Sequence, residues 1–95
     1  MKSVLVFLAI LTMTTTASAG EEILKLDRAK EFYRLRYAGA AMHKAFAQSP
    51  EGGWGWATGK KSAQAAIEQA LQTCRKHVTP DEHDCVLINI DGQWL

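Results

Sequence analysis

The stretch 62-SAQAAIEQALQTCRKHV-78 decides the fold. Ala63, Ala66, Ile67, Ala70, Leu71, Cys74 and Val78 recur at the spacing of one helical face. Ser62 stands where an N-cap belongs, with a hydroxyl that can accept an orphan backbone N–H. Arg75, Lys76 and His77 fall in the last turn, where positive charge suits the helix dipole, and Pro80 blocks continuation. The spacing therefore predicts an amphipathic helix over Ser62–Val78. Cys74 lies on its buried face, so its expected partner is Cys85, the only other cysteine.

Working outward, Cys85–Ile90 (CVLINI) is the strongest strand signal, and Asp91-Gly92 reads as a two-residue type I′ hairpin returning into Gln93–Leu95. On the other side of the helix, Met42–Gln48 and Trp54–Thr58 read as strands joined by the turn chemistry of Ser49–Gly53. Their parity sorts residues onto two faces. Ala45, Ala47, Gly55 and Ala57 are small and admit a close helix; Cys85 and Leu87 join them. Phe46, Trp54, Trp56, Val86, Ile88 and Ile90 fall on the opposite, aromatic face. That face needs a second cover, and Glu21 to Ala38, read as an N-terminal helix with Phe32, Tyr33, Leu35 and Tyr37, is the obvious one. The expected class is α+β, a small antiparallel sheet ordered two-one-three-four on a central helix. A parallel pairing of strands two and three is the alternative.

The chain has 95 residues, and its first nineteen read as a secretory signal peptide. Lys2 gives the positive start, Val4–Met13 the short apolar core, and Ala17-Ser18-Ala19 the cleavage site. A spanning helix needs ~20 apolar residues, more than this run supplies. The expected organisation is a signal peptide over 1–19, an N-terminal helix over 20–41 and a disulfide-stapled α+β domain over 42–95. The expected location is periplasmic or secreted. Without Lys2 the basic count falls from 11 to 10, equal to the 10 acidic residues. Neutrality gives no electrostatic reason to expect nucleic acid or an anionic membrane as partner. Lys25, Arg28, Lys30, Arg34 and Arg36 are interleaved by Glu22, Asp27 and Glu31, as on a solvated helix face. A domain this small is near the lower limit for a self-sufficient core. Closing a loop of about 12 residues with a disulfide would contribute on the order of 3 kcal/mol.

The chemistry-bearing residues are few. Cys74-x2-His77 and His83-x-Cys85 offer four ligands of the kind a structural zinc site uses. An exported chain favours oxidation of the two cysteines instead. No metal or other cofactor is expected, with His77 and His83 as the alternative metal ligands. Asp81, Glu82 and Asp84 flank His83 but lack the spacing of an EF-hand loop. Ser49 and Ser62 read as turn and cap residues, and His43 has no visible partner, so no catalytic constellation is evident. Trp54, Trp56 and Trp94 are the candidate binding residues, since aromatic faces stack on sugars or hold apolar side chains. They compete for that role with membership of the core.

Residues His43-Lys44-Ala45-Phe46-Ala47, Gly53-Trp54-Gly55-Trp56-Ala57, Ser62, Ala65, Ala66, Ala70, Leu71, Cys74 and Cys85-Val86-Leu87 form a recognisable run. It resembles small exported bacterial modules grouped as domain of unknown function 4189. The resemblance covers about half the chain and implies an exported location and a Cys74–Cys85 bond; it carries no activity or catalytic residue. Together these readings lead us to expect a non-enzymatic binding or accessory module of the cell envelope, acting on a protein or other envelope component. An inhibitor of an exogenous enzyme such as a wall hydrolase, using the Thr79–Asp84 loop, and a small metal-binding protein are the alternatives.

Overall fold

A computed structural model describes residues 20–95; the signal-peptide reading over 1–19 lies outside the described residues. The sheet has four strands, β1 (Ala45–Gln48), β2 (Trp54–Ala57), β3 (Val86–Ile90) and β4 (Gln93–Trp94). Their order is β2-β1-β3-β4, antiparallel throughout. The class is α+β, and the two-one-three-four layout is the one observed.

Two helical segments cover the two faces. The first, α1, is Asp27–Phe32 and continues as a π-helical turn over Tyr33–Tyr37; the second, α2, is Ala63–Arg75. Ser62 caps α2 as the sequence predicts, its Oγ accepting from Ala65 N–H at 3.1 Å. Ala66, Ala70 and Cys74 of α2 pack on Ala45, Ala47 and Ala57 of the sheet and on Cys85, with Ile67, Leu71, Val78 and Leu87 at the margin. Gly55 sets the approach: a Cβ there would sit 2.6 Å from Ala70 O and 2.8 Å from Cys74 Cα. Those are backbone atoms of α2, so only glycine fits. Cys74 and Cys85 are joined as a disulfide that ties the end of α2 to the start of β3.

The N-terminal segment departs from the continuous helix expected over Glu21–Ala38. A 3₁₀ turn at Glu21–Ile23 gives way to extended backbone at Leu24 and Leu26 before α1 begins. The physical reason is the Gln48 side chain. Its Nε2 donates to Ile23 O at 3.1 Å, and its Oε1 accepts from Lys25 N–H at 2.8 Å. This amide satisfies the backbone where a helix would have done so, and Leu24 is buried between those contacts. Further on, Ala38 N–H donates five residues back to Tyr33 O at 2.8 Å. The extra residue in that turn leaves both Tyr33 and Tyr37 buried. Lys44 closes the helix end. Its Nζ donates to Tyr37 O, Ala38 O and Ala40 O at 2.9–3.0 Å and lies 5.0 Å from the Tyr37 ring centroid. A cation at a helix C-terminus is favourable there, and it lets Lys44 be only 5 % exposed.

The second core contains Leu24, Ala29, Tyr33, Tyr37, Phe46 and Ile88, with Phe32, Trp54 and Trp94 against it. The helix of this N-terminal segment thus packs on the aromatic face of the sheet, the cover expected of it. One face assignment is corrected. Phe46 pairs with Asn89 and Ala47 with Leu87, so Ile88 is the extra residue of a β-bulge. Beyond it the parity inverts. Ile90 pairs with Ala45 and lies on the α2 side, while buried Asn89 turns to the aromatic side. There Asn89 Oδ1 accepts from Tyr37 Oη at 2.9 Å and from Gly92 N–H at 3.0 Å, and its Nδ2 donates to Tyr33 Oη at 3.4 Å. The Asp91-Gly92 hairpin has the expected positive φ at both residues, 51° and 86°.

Candidate functional site

The three tryptophans do not converge. Trp94 sits on β4, with its ring 4.9 Å from Tyr33, while Trp54 and Trp56 lie on β2 at the opposite sheet edge. Trp54 is half-buried between Phe46, stacked at 5.6 Å, and Phe32 at 5.3 Å. It belongs to the core on one side and to the surface on the other. Trp56 touches Phe32 at 4.7 Å and remains 36 % exposed.

Three clefts surround these two rings. One of about 400 Å³ is lined by Leu26 and Arg28 before and in α1, by Glu51–Gly53, by Trp54 and Trp56, by Thr73 of α2 and by His77 just beyond its end. A second of about 360 Å³ shares Trp56 and Thr73 with it and extends to Thr58, Lys60 and Gln69. A third, about 410 Å³, shares Arg28 and Trp54 and reaches Phe32, Leu35 and Arg36. Leu35 is 72 % exposed beside it. The β2 edge is thus the place where concavity, open aromatic surface and charge coincide.

Sequence reasoning pointed to Trp54, Trp56 and His77, read Arg28 as part of a solvated helix face, and did not single out Lys60, Gln69 or Thr73. Gln69 and Thr73 lie four residues apart on one polar stripe of α2, and His77 follows four residues later in the turn beyond the helix end. That stripe is visible in the sequence; its neighbour across the groove is not. Gln69 Nε2 donates to Thr73 Oγ1 at 3.0 Å, which fixes the wall.

The Cys/His cluster is dispersed. Both sulfurs are in the disulfide, so neither is a thiolate ligand. His83 turns to the β1–β2 turn, its Nδ1 2.8 Å from Glu51 Oε2, and its backbone N–H donates to Glu51 Oε1 at 3.2 Å. This pairing raises the His83 pKa above its ordinary value and lowers that of Glu51. The neighbouring carboxylates are used locally. Glu82 Oε1 accepts from Thr79 N–H, Asp81 Oδ1 from Thr79 Oγ1, and Asp84 Oδ1 from Cys85 N–H and from Arg75. The Arg75 guanidinium holds the Asp84 carboxyl below its usual range. Among the described residues no three His, Cys, Asp or Glu side chains converge as a metal site.

Ser49 and Ser62 have the local roles expected of them: Ser49 Oγ accepts from Gly53 N–H, and Ser62 Oγ caps α2. His43 Nδ1 lies 3.9 Å from Asp91 Oδ2, too far for a hydrogen bond, and Asp91 Oδ1 accepts from Lys44 N–H instead. Burial and the neighbouring Tyr33 raise the Tyr37 pKa well above that of a free phenol, so its hydroxyl stays a donor to Asn89. Among the described residues no helix is long and apolar enough to cross a membrane.

Comparison with known proteins finds no matching family model, no matching curated protein and no matching solved structure.

Proposed function

We propose that this chain is an exported, non-catalytic binding module of the cell envelope, and that it holds its partner at the Trp54/Trp56 edge of the sheet. One observation carries the reading. Trp56 leaves a large ring open at the junction of two clefts, although both cores of the domain close without it. Exposed aromatics beside concave surface are the usual anchors of recognition. The Cys74–Cys85 disulfide supports the exported part, because such bonds persist in oxidising compartments.

The test is co-sedimentation of the disulfide-bonded protein with isolated envelope fractions, wall glycan and envelope protein separately. Trp56→Ala is expected to cut binding at least tenfold with the melting temperature nearly unchanged, and Trp56→Tyr to restore most of it. Failure of the wild type to bind either fraction, or equal binding by Trp56→Ala, would refute the reading.

The inhibitor reading draws support from the Thr79–Asp84 loop. That loop is exposed yet held at its C-terminal end, by Glu51 on His83 and by Arg75 on Asp84, and internally by Thr79 N–H and Oγ1 donating to Glu82 and Asp81. A preorganised protruding loop is what insertion into an active site requires.

A further inference from the structure

We infer that the β2 edge is a slot for an extended segment of a partner protein, one that docks as a fifth strand and carries acidic side chains. The inference rests on the binding-module reading and names the occupant of its site.

The backbone supplies the first reason. β1 and β2 pair Ala45 with Ala57, Phe46 with Trp56, Ala47 with Gly55 and Gln48 with Trp54. Ser49 N–H donates to Gly53 O at 2.8 Å, which marks Ser49 and Gly53 as a hydrogen-bonded pair. Such pairs alternate in an antiparallel ladder, so the inward-bonded residues of β2 are Gly55 and Ala57. The N–H and C=O groups of Trp54 and Trp56 therefore point away from β1. Among the described residues no strand lies on that side of β2.

The shape supplies the second. The two clefts that share Trp56 and Thr73 run along β2 from Gly53 to Thr58. Gln69 and Thr73 of α2, with His77 from the turn after it, make one wall; Leu26, Arg28 and the two indoles make the other. A four-residue strand occupies roughly 13 Å at ~3.3 Å per residue, so the slot is the length of β2 itself. Pairing by an added strand at an open edge is an established recognition mode, with backbone bonds giving affinity and alternate side chains giving specificity.

Charge selects the occupant. Arg28, Lys60 and His77 line the slot, and its one carboxylate, Glu51, has both oxygens engaged by His83. Neither Arg28 nor Lys60 has an ion-pair partner among the described residues. On a segment added beside β2, residues opposite Trp54 and Trp56 share the indole face and suit apolar side chains. Those opposite Gly55 and Ala57 share the α2 face, toward His77 and Lys60, and suit carboxylates. A second copy of this chain paired β2 to β2 would bring to the slot only Trp54–Ala57, a strand with no carboxylate to meet these cations.

The probes are two eight-residue acetylated peptides, one of alternating Glu and Val and one of alternating Lys and Val, with a third Glu/Val peptide N-methylated along one strand edge. Binding to the full disulfide-bonded protein is read by fluorescence anisotropy, and hydrogen exchange of the Trp54 and Trp56 amides by NMR. The acidic peptide is expected to bind at least tenfold more tightly than the basic one, to weaken with salt, and to slow exchange of both amides at least tenfold. N-methylation is expected to abolish binding. The surface pair Arg28→Glu with Lys60→Glu, which leaves both cores intact, is expected to reverse the charge preference. Equal binding of both peptides, unchanged amide exchange, or a β2-paired dimer in sedimentation would each overturn the inference. If Trp56→Ala abolishes envelope binding while neither peptide binds, the module stands and the strand slot falls.

Discussion

Replacing Gly55 by Ala tests how the helix and sheet are held together. Two opposing effects act. Alanine reduces the conformational freedom of the unfolded chain, which stabilises by about 0.4–1 kcal/mol where the native geometry accepts it. Here it does not accept it. The new methyl would meet Ala70 O at 2.6 Å and Cys74 Cα at 2.8 Å. Both belong to backbone, which cannot rotate aside as a side chain can, so α2 must move. Overpacking of this kind costs about 1–3 kcal/mol, and a backbone obstacle places it near the top of that range. The net expectation is a loss of about 2 kcal/mol. For a domain of this size that lowers the melting temperature by roughly 8–16 °C. The assay is thermal and urea unfolding followed by circular dichroism, with the urea midpoint falling and the slope unchanged. Gly92→Ala is the control: its φ is +86° and nothing lies within 4 Å, so it costs about 1–2 kcal/mol through backbone strain alone. A Gly55→Ala protein as stable as the parent, or more stable, would refute the close-approach argument.

Three further outcomes are expected. Reducing the disulfide, or Cys74→Ser with Cys85→Ser, removes a cross-link of sequence separation 11 and should cost about 3 kcal/mol in equilibrium unfolding. Asn89→Ala strips the partner from two buried tyrosyl hydroxyls and from Gly92 N–H, for a loss of about 2–3 kcal/mol; a loss under about 1 would mean those groups find water. The Glu51–His83 clasp should contribute only inside a pH window. The raised His83 pKa gives stability that is present below 6.5 and lost as pH rises through the folded value. The lowered Glu51 pKa gives stability that is present above 4.5 and lost as pH falls through its folded value. The clasp is therefore strongest between about pH 4.5 and 6.5, and NMR titration of His83 should show its pKa return toward 6.5 in Glu51→Gln.

Local chemistry carried much of the fold. The Ser62 cap, the alanine face of α2 and the Asp91-Gly92 turn each depend on residues within a few positions of one another, and each is found where its pattern lies. The strand order follows from the same patterns, because small residues on one face and aromatics on the other admit few arrangements. At the candidate site the indoles were legible as exposed-or-core aromatics, but Arg28 and Lys60 were not. Nothing local distinguishes Arg28 from Arg34, which pairs with Glu21.

The sequence by itself determined the central helix, the four strands with most of their faces, and the partnership of two cysteines, since period, caps and turns are short-range properties of the chain. Only the tertiary structure decided the rest. Gln48, twenty-five residues from Ile23, captures a backbone that its own propensity would have coiled. Asn89, fifty-two residues from Tyr37, lies just beyond a bulge that re-aims it and reverses the parity of Ile90. Trp54 and Trp94, alike in composition, go to opposite edges because the strand order separates them. In each case a polar or aromatic group is satisfied by a distant partner, and the free energy of that contact exists only once the chain has closed the loop between them.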